Sequence, residues 1–223
     1  NTGAAWGVFA VGKGGAAIDV TTKDIVVNQP GLPINGGAGI SVYSVGTQKV
    51  TSANISTKGD DTDGIVTGGF FGIGGDTTIV STGVITTTGK DSDGIDAGAH
   101  GFINIKNTGT ITTTGASADG IAADSDLSKV DIESATISAT GTGSVGIHAF
   151  GVKDVTVKTG TVTAGATAVD ANSTTGNVLV TGTGDLIANG GDGVKAVSTL
   201  GSATVNMGAN KITAKNTGAG LSA

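Results

Sequence analysis

No cysteine occurs in the 223 residues, which excludes disulfides, Cys-ligated zinc and thiol nucleophiles together. Arginine is also missing: all twelve basic residues are lysines, set against eighteen acids of which only Glu133 is not an aspartate. A net charge of −6 with no arginine argues against nucleic acid as a partner, because phosphate binding needs a basic footprint. Two prolines are too few for collagen or for a proline-rich linker. No apolar run approaches the roughly 20 residues that span a bilayer, so this segment is not expected to be membrane-spanning. Glutamate, arginine and leucine, which favour helices, are scarce. Glycine, by contrast, is 41 residues, more than twice its ordinary share of roughly 7 %. With Thr, Asp, Asn and Ser it makes a vocabulary of strands and tight turns, and the expected fold class is all-β.

The turns recur at intervals. "GVITTTGKDSDGIDA" (83–97), "GTITTTGASADGIAA" (109–123) and "ATISATGTGSVGIHA" (135–149) are spaced by 26 residues. A Gly-Ile pair or a relative of it ends each coil, at Gly7-Val8, Gly39-Ile40, Gly64-Ile65, Gly94-Ile95, Gly120-Ile121, Gly146-Ile147, Ala168-Val169, Gly193-Val194 and Gly220-Leu221. None is skipped, so residues 1–223 are read as one repeat domain. A second column precedes the pair: Ile55, Ile85, Ile111, Ile137, Val162, Leu186 and Ile212. Two places after each comes a small residue, from Thr57 to Ala214, and polar residues alternate with both. That is a strand with one buried face. A third column follows the pair, from Ile18/Val20 and Val50 to Val178/Val180 and Val205/Met207. Three short strands per coil and no helix predict a three-sided parallel β-helix of about eight coils of roughly 26 residues, near 40 Å long at about 4.8 Å per coil. The second column is the expected core ladder, its small residues keeping a narrow lumen from overfilling. Two insertions break the period. One, near 28–38, carries Pro30 and Pro33 and reads as a loop thrown out from a coil. The other, near 67–76, carries Phe70, Phe71 and Ile73, a candidate binding loop that is expected to fold back on the rod.

Chemistry is thinly spread. Asp63, Asp93, Asp119 and Asp192 precede the anchor glycines, and "GDDTDG" (59–64) resembles part of a calcium loop. Its first position is glycine where a ligand is required and no glutamate closes it, so the expectation is a tight turn, with no metal and no cofactor. Asp131 and Glu133, two apart on a strand, are expected on the solvated outer face rather than in a glycosidase cleft. His100 and His148 share no column or motif with a serine nucleophile, and no catalytic residue is assigned. Outward Thr110/Thr112, Thr136/Ser138 and Thr161/Thr163 form a Thr-x-Thr run of three coils that fails at Asp185/Ile187 and Lys211, too short for an ice plane. Strand preference accounts for it.

The repeated fifteen-residue stretches, with the linking "NTG" at 107–109, resemble the passenger β-helices of bacterial autotransporters, close to pertactin-like and adhesin-type passengers. The resemblance implies export across the outer membrane and an extracellular or cell-surface location, and the residues themselves lead to the expectation of no enzymatic activity. The implied role is a rigid rod that binds a host or bacterial cell-surface protein or glycan. A self-assembling filament or surface-layer-like subunit, associating through the β-helix ends, is the alternative, and a polysaccharide-active enzyme is third. Opening at Asn1 leads to the expectation of a processed product or a fragment of a longer passenger.

Overall fold

The computed structural model describes residues 5–28, 36–68, 74–215 and 218–222, and every regular element among them is a β-strand. The strands wind as a parallel β-solenoid with three faces. Nine lie on the first face, running coil by coil from Trp6–Gly12 through Gly37–Ser44, Thr62–Gly68, Ile95–Ala99, Ile121–Ser125 and onward to Leu221–Ser222. All eight pairings on this face are parallel, and they place the nine anchor residues in one ladder from Val8 through Ile40, Ile65 and Ile95 to Leu221. The 26-residue interval is therefore the length of one coil.

The second and third faces each repeat at the same pitch. On the third, Ile55 pairs with Ile85, Ile85 with Ile111, Ile111 with Ile137, and the ladder continues through Val162 and Leu186 to Ile212. The first six of these residues are fully buried, and Ile212, in the last coil of this face, is half-buried. Ile25 adds a rung at the other end by pairing with Ile55, a place the sequence pattern does not reveal because a charged and a β-branched neighbour, Asp24 and Val26, blur the alternation. Twice the second and third faces merge, where Ile103–Thr113 and Val130–Ala139 run round the corner as single strands. The separate short strands expected in each coil are thus joined in these two. Against Val130–Ala139, the strand Ile103–Thr113 carries a bulge between Asn107 and Thr110.

The third column needs correction at its C-terminal end and holds at the other, where Val20 pairs with Val50 and Val50 with Ile79. Val178 pairs with Ala203 and Val180 with Val205, so the rungs are Ala203/Val205 rather than Val205/Met207. Met207 lies past the strand, and its side chain fills the space beside Gly182, where a Cβ would sit 1.9 Å from the methionine methyl. At the other end the rungs opposite Ile18 are Gln48 and then Thr77, both buried. Gln48 Nε2 donates to Ser44 O and Gly68 O, which lets an amide occupy an apolar ladder.

The small residues of the core do more than save space. Thr57, Thr87 and Thr113 turn their hydroxyls to the carbonyls of Thr62, Ser92 and Ala118 at 2.9, 2.6 and 2.6 Å, closing the corner between the third and first faces. Serines close the corner between the first and second faces. Ser125, Ser173 and Ser198 each donate to a carbonyl of a neighbouring coil and accept the N–H three residues on. These hydroxyls satisfy backbone groups that a corner would otherwise leave without a ladder partner.

One corner position is strained. Asp61, Asp91, Ser117 and Gly143 occupy the same place in four successive coils, with φ of 51°, 51°, 53° and 81°. An L-residue in this left-handed region costs roughly 1 kcal/mol, which glycine avoids. Ser117→Gly is expected to leave stability unchanged or raise it, and Ser117→Val to lower it by about 1–2 kcal/mol, read from urea melts. A valine variant as stable as the serine would show that the turn is not held in this conformation.

The prolines Pro30 and Pro33 and the candidate loop residues Phe70, Phe71 and Ile73 lie outside the described residues. The insertions are bounded by strand on both sides, since Gly37–Ser44 begins before position 38 and Thr62–Gly68 ends after position 67.

Candidate functional site

Side-chain chemistry gathers on the first face and at the corner that leads into it. Asp63, Asp93 and Asp119 stand one above another just before the anchor glycines. Each uses Oδ1 to accept the backbone N–H of the corresponding residue one coil on: Asp93 N–H to Asp63 at 2.7 Å, Asp119 N–H to Asp93 at 2.6 Å, and Val145 N–H to Asp119 at 2.7 Å. Asp192 does the same for Ala219 at 2.8 Å. The other corners use the same device, with Asn54 accepting from Val84, Asp76 from Phe102, Asp154 from Asn177 and Asp185 from Lys211. Turn chemistry alone is thus an incomplete account of the Asp-Gly spelling. These aspartates are braces between coils, replacing the backbone acceptor that is lost where the chain leaves one sheet for the next.

Burial pushes the carboxyl of Asp63 up to about 7 and that of Asp93 up to about 8, although the accepted N–H works the other way in both. Asp119 is also raised by burial, with Val145 N–H and the nearby His148 opposing. No group of three or more His, Cys, Asp or Glu among the described residues is arranged to hold a metal ion. Chelation is accordingly expected to leave the melting temperature unchanged. A drop on chelation that disappears in the Asp61→Asn, Asp63→Asn double variant would make these carboxylates metal ligands.

Beyond the corner, the outward rungs of the first face change from coil to coil. One column runs Val66, Asp96, Ala122, His148, Asp170 and Lys195, and the neighbouring one Gly98, Asp124, Phe150, Asn172 and Val197. Asp96 is half-buried, and burial, helped by Asp124 and Asp119, lifts its carboxyl to about 6. His148 faces Asp124 with Nε2 and Oδ1 3.6 Å apart, an ion-pair distance, and Asp124 raises the imidazole pKa. Asp170 is held from two sides, by Asn172 Nδ2 at 2.7 Å and Lys195 Nζ at 3.2 Å. Where the chain turns toward the second face, His100 pairs with Asp126. Trp6, Phe9 and Tyr43 form an aromatic cluster at one end, with ring centres 5.0 and 6.0 Å apart and the first two side chains largely exposed.

The outward rungs of the second face also vary, running Asp19, Lys49, Thr78, Asn104, Asp131, Thr156 and Leu179, and only the third face repeats one kind of rung. On the second, Glu133 sits between Lys106 and Lys158 of the adjoining coils at 3.7 and 3.2 Å, and Asp131 pairs with Lys129 at 3.0 Å. Both acids point outward, as expected, and surface ion pairs of this kind contribute little, about 0–1 kcal/mol. A shallow pocket of about 280 Å³ lies beside the bulge, lined by Thr108, Glu133, Lys158 and Thr183 among others. On the third face Ser56, Thr86, Thr112, Ser138 and Thr163 stack in register before giving way to Ile187.

Sequence reading finds the corner aspartates and both histidines but does not bring Asp96, Asp124, His148 and Asp170 together. The signal is there: all four stand one or three places after an anchor Ile or Val. Comparison with known protein families, with curated proteins and with solved structures finds no match.

Proposed function

We propose that this chain is a rigid rod displayed on or released from a bacterial cell surface, which binds a glycan or protein of host or neighbouring cells through its first face. The supporting observation is the contrast between the first face and the third, together with the aromatic and imidazole rungs that the first face adds to charge. A scaffold can repeat one rung indefinitely, as the third face does from Ser56 to Thr163, but recognition needs different groups at different heights. The first face supplies them: a carboxyl, an imidazole, an aromatic ring, an amide and an ammonium over the coils from Asp96 to Lys195. Extended surfaces of stacked repeats bind in this way. The resemblance to autotransporter passengers supports export and display, and the reading assigns no reaction to the rod.

The test is binding of the purified chain to a glycan array and to whole cells. The double variant Asp124→Ala, Phe150→Ala is expected to lose binding, while Thr112→Ala, Thr163→Ala on the third face keeps it. Equal behaviour of the two variants would sink the assignment of the face.

A further inference from the structure

Two sets among the eighteen acids of this protein contrast with each other. Asp19, Asp91, Asp131, Asp170 and Glu133 each meet a lysine, and Asp124 and Asp126 each meet a histidine. Asp63, Asp93, Asp96 and Asp119 take part in none of the ion pairs of the described residues, although they are more buried than most. Three of them stack at the spacing of one coil, and the fourth stands on the strand Ile95–Ala99 that the corner feeds. Other titratable groups facing this stack are Tyr43 from the preceding coil, Asp61 from the preceding turn, and Asp124 and His148 from the next two coils. Only the last can carry a positive charge, and only when protonated.

We propose that this carboxyl stack is a pH-responsive brace, which locks the corner of the rod in mildly acidic surroundings and loosens it in mildly alkaline ones. The bond that each aspartate makes to the next coil survives protonation, because Oδ1 of a neutral carboxyl still accepts the N–H from above. Protonating the other oxygen removes the charge that is costly to bury and the repulsion between stacked neighbours, while the brace stays in place.

The sign follows from linkage. The folded-state values, about 7 for Asp63, 8 for Asp93 and 6 for Asp96, lie above the ordinary aspartate value of 3.8. The folded chain therefore holds more protons than the unfolded chain between these limits, and stability falls as the pH rises through that window. His148, also raised, adds loss in the same direction above its ordinary 6.5. Glu133, lowered by Lys158 and Lys106, acts oppositely, but it is fully solvated and its effect is small.

Thermal melts at pH 5 and pH 8 test the proposal. The wild-type chain is expected to melt lower at pH 8 by roughly 5 °C or more. Asp93→Asn keeps an acceptor oxygen without the charge, and should melt above wild type at pH 8 with a flatter pH dependence. Asp131→Asn, on the solvated second face, should leave the slope unchanged. A melting temperature that is flat or rises from pH 5 to pH 8, or an Asp93→Asn variant with the wild-type slope, overturns the proposal. If Asp93→Asn fails to fold, carboxyl-carbon NMR titration of the wild-type chain decides. An Asp93 midpoint above about 6 supports the brace, and one in the ordinary aspartate range rejects it.

Discussion

Ile111→Asp is expected to abolish cooperative folding of the central coils, whereas Thr112→Asp, one residue away, should cost less than about 1 kcal/mol. Ile111 is fully buried between Ile85 and Ile137 in the third-face ladder. An aspartate there loses the isoleucine contacts, roughly 2–5 kcal/mol for a truncated core residue. It also brings a carboxyl into an apolar lumen with no cation, at a further cost of several kcal/mol. Together these rival the whole stability of an ordinary domain, about 5–15 kcal/mol. Because each coil rests only on its neighbours, loss of one rung separates the coils on either side of it. Thr112 points outward in a neutral column between Thr86 and Ser138, where a charge keeps its water. Urea melts of the two variants make the comparison, and similar midpoints would show that the inner and outer faces have been exchanged.

This contrast is legible in the amino-acid sequence, because burial on one side of a strand imposes a two-residue alternation that "TITTT" and "TISAT" display openly. So is the solenoid: a coil that stacks on its like must repeat its apolar places, and the nine anchors do. What the sequence hides is polar and local. The hydroxyl of Thr113 looks like any other small inward residue until its bond to Ala118 O is seen. Asp93 looks like the start of an Asp-Gly turn, because a carboxylate bracing the next coil and one capping its own turn are spelled alike. Gln48 and Thr77 occupy inward places in the column of Ile18 without its apolar spelling, and Met207 mimics a rung although its side chain fills the space beside Gly182. The first-face cluster is hidden for another reason. Its members come from different coils, and variety down a column leaves no repeat to detect.

Gly120→Ala is expected to destabilise the rod by about 3 kcal/mol, as much as many core truncations, while Gly98→Ala should be close to neutral. Neither glycine has a positive φ, so backbone freedom explains neither. Space explains both. A Cβ on Gly120 would stand 2.4 Å from Gly146 O in the next coil and 2.4 Å from Ile137 Cγ2 in the lumen, whereas one on Gly98 meets only Thr67 O at 3.8 Å. Relief at Gly120 means moving that coil off its neighbour, which stretches the bonds from Gly120 N–H to Val145 O and from Ile121 N–H to Gly146 O. The repeat contains its own control. Gly7, Gly39, Gly64, Gly94, Gly120, Gly146 and Gly193 would each press a Cβ on a γ-carbon of a β-branched third-face rung, Ile25, Ile55, Ile85, Ile111, Ile137, Val162 and Ile212 in turn. The one interior anchor that is alanine, Ala168, belongs to the coil whose rung is Leu186, which has no branch at Cβ. Glycine and the β-branch thus go together, and alanine goes with leucine. The double variant Gly120→Ala, Ile137→Leu should therefore recover a substantial part of the stability that Gly120→Ala loses, with a coupling of about 1–2 kcal/mol in a double-mutant cycle from urea melts. Additive losses would mean that the neighbouring carbonyl alone excludes the methyl, and that the pairing of Ala168 with Leu186 has no steric cause.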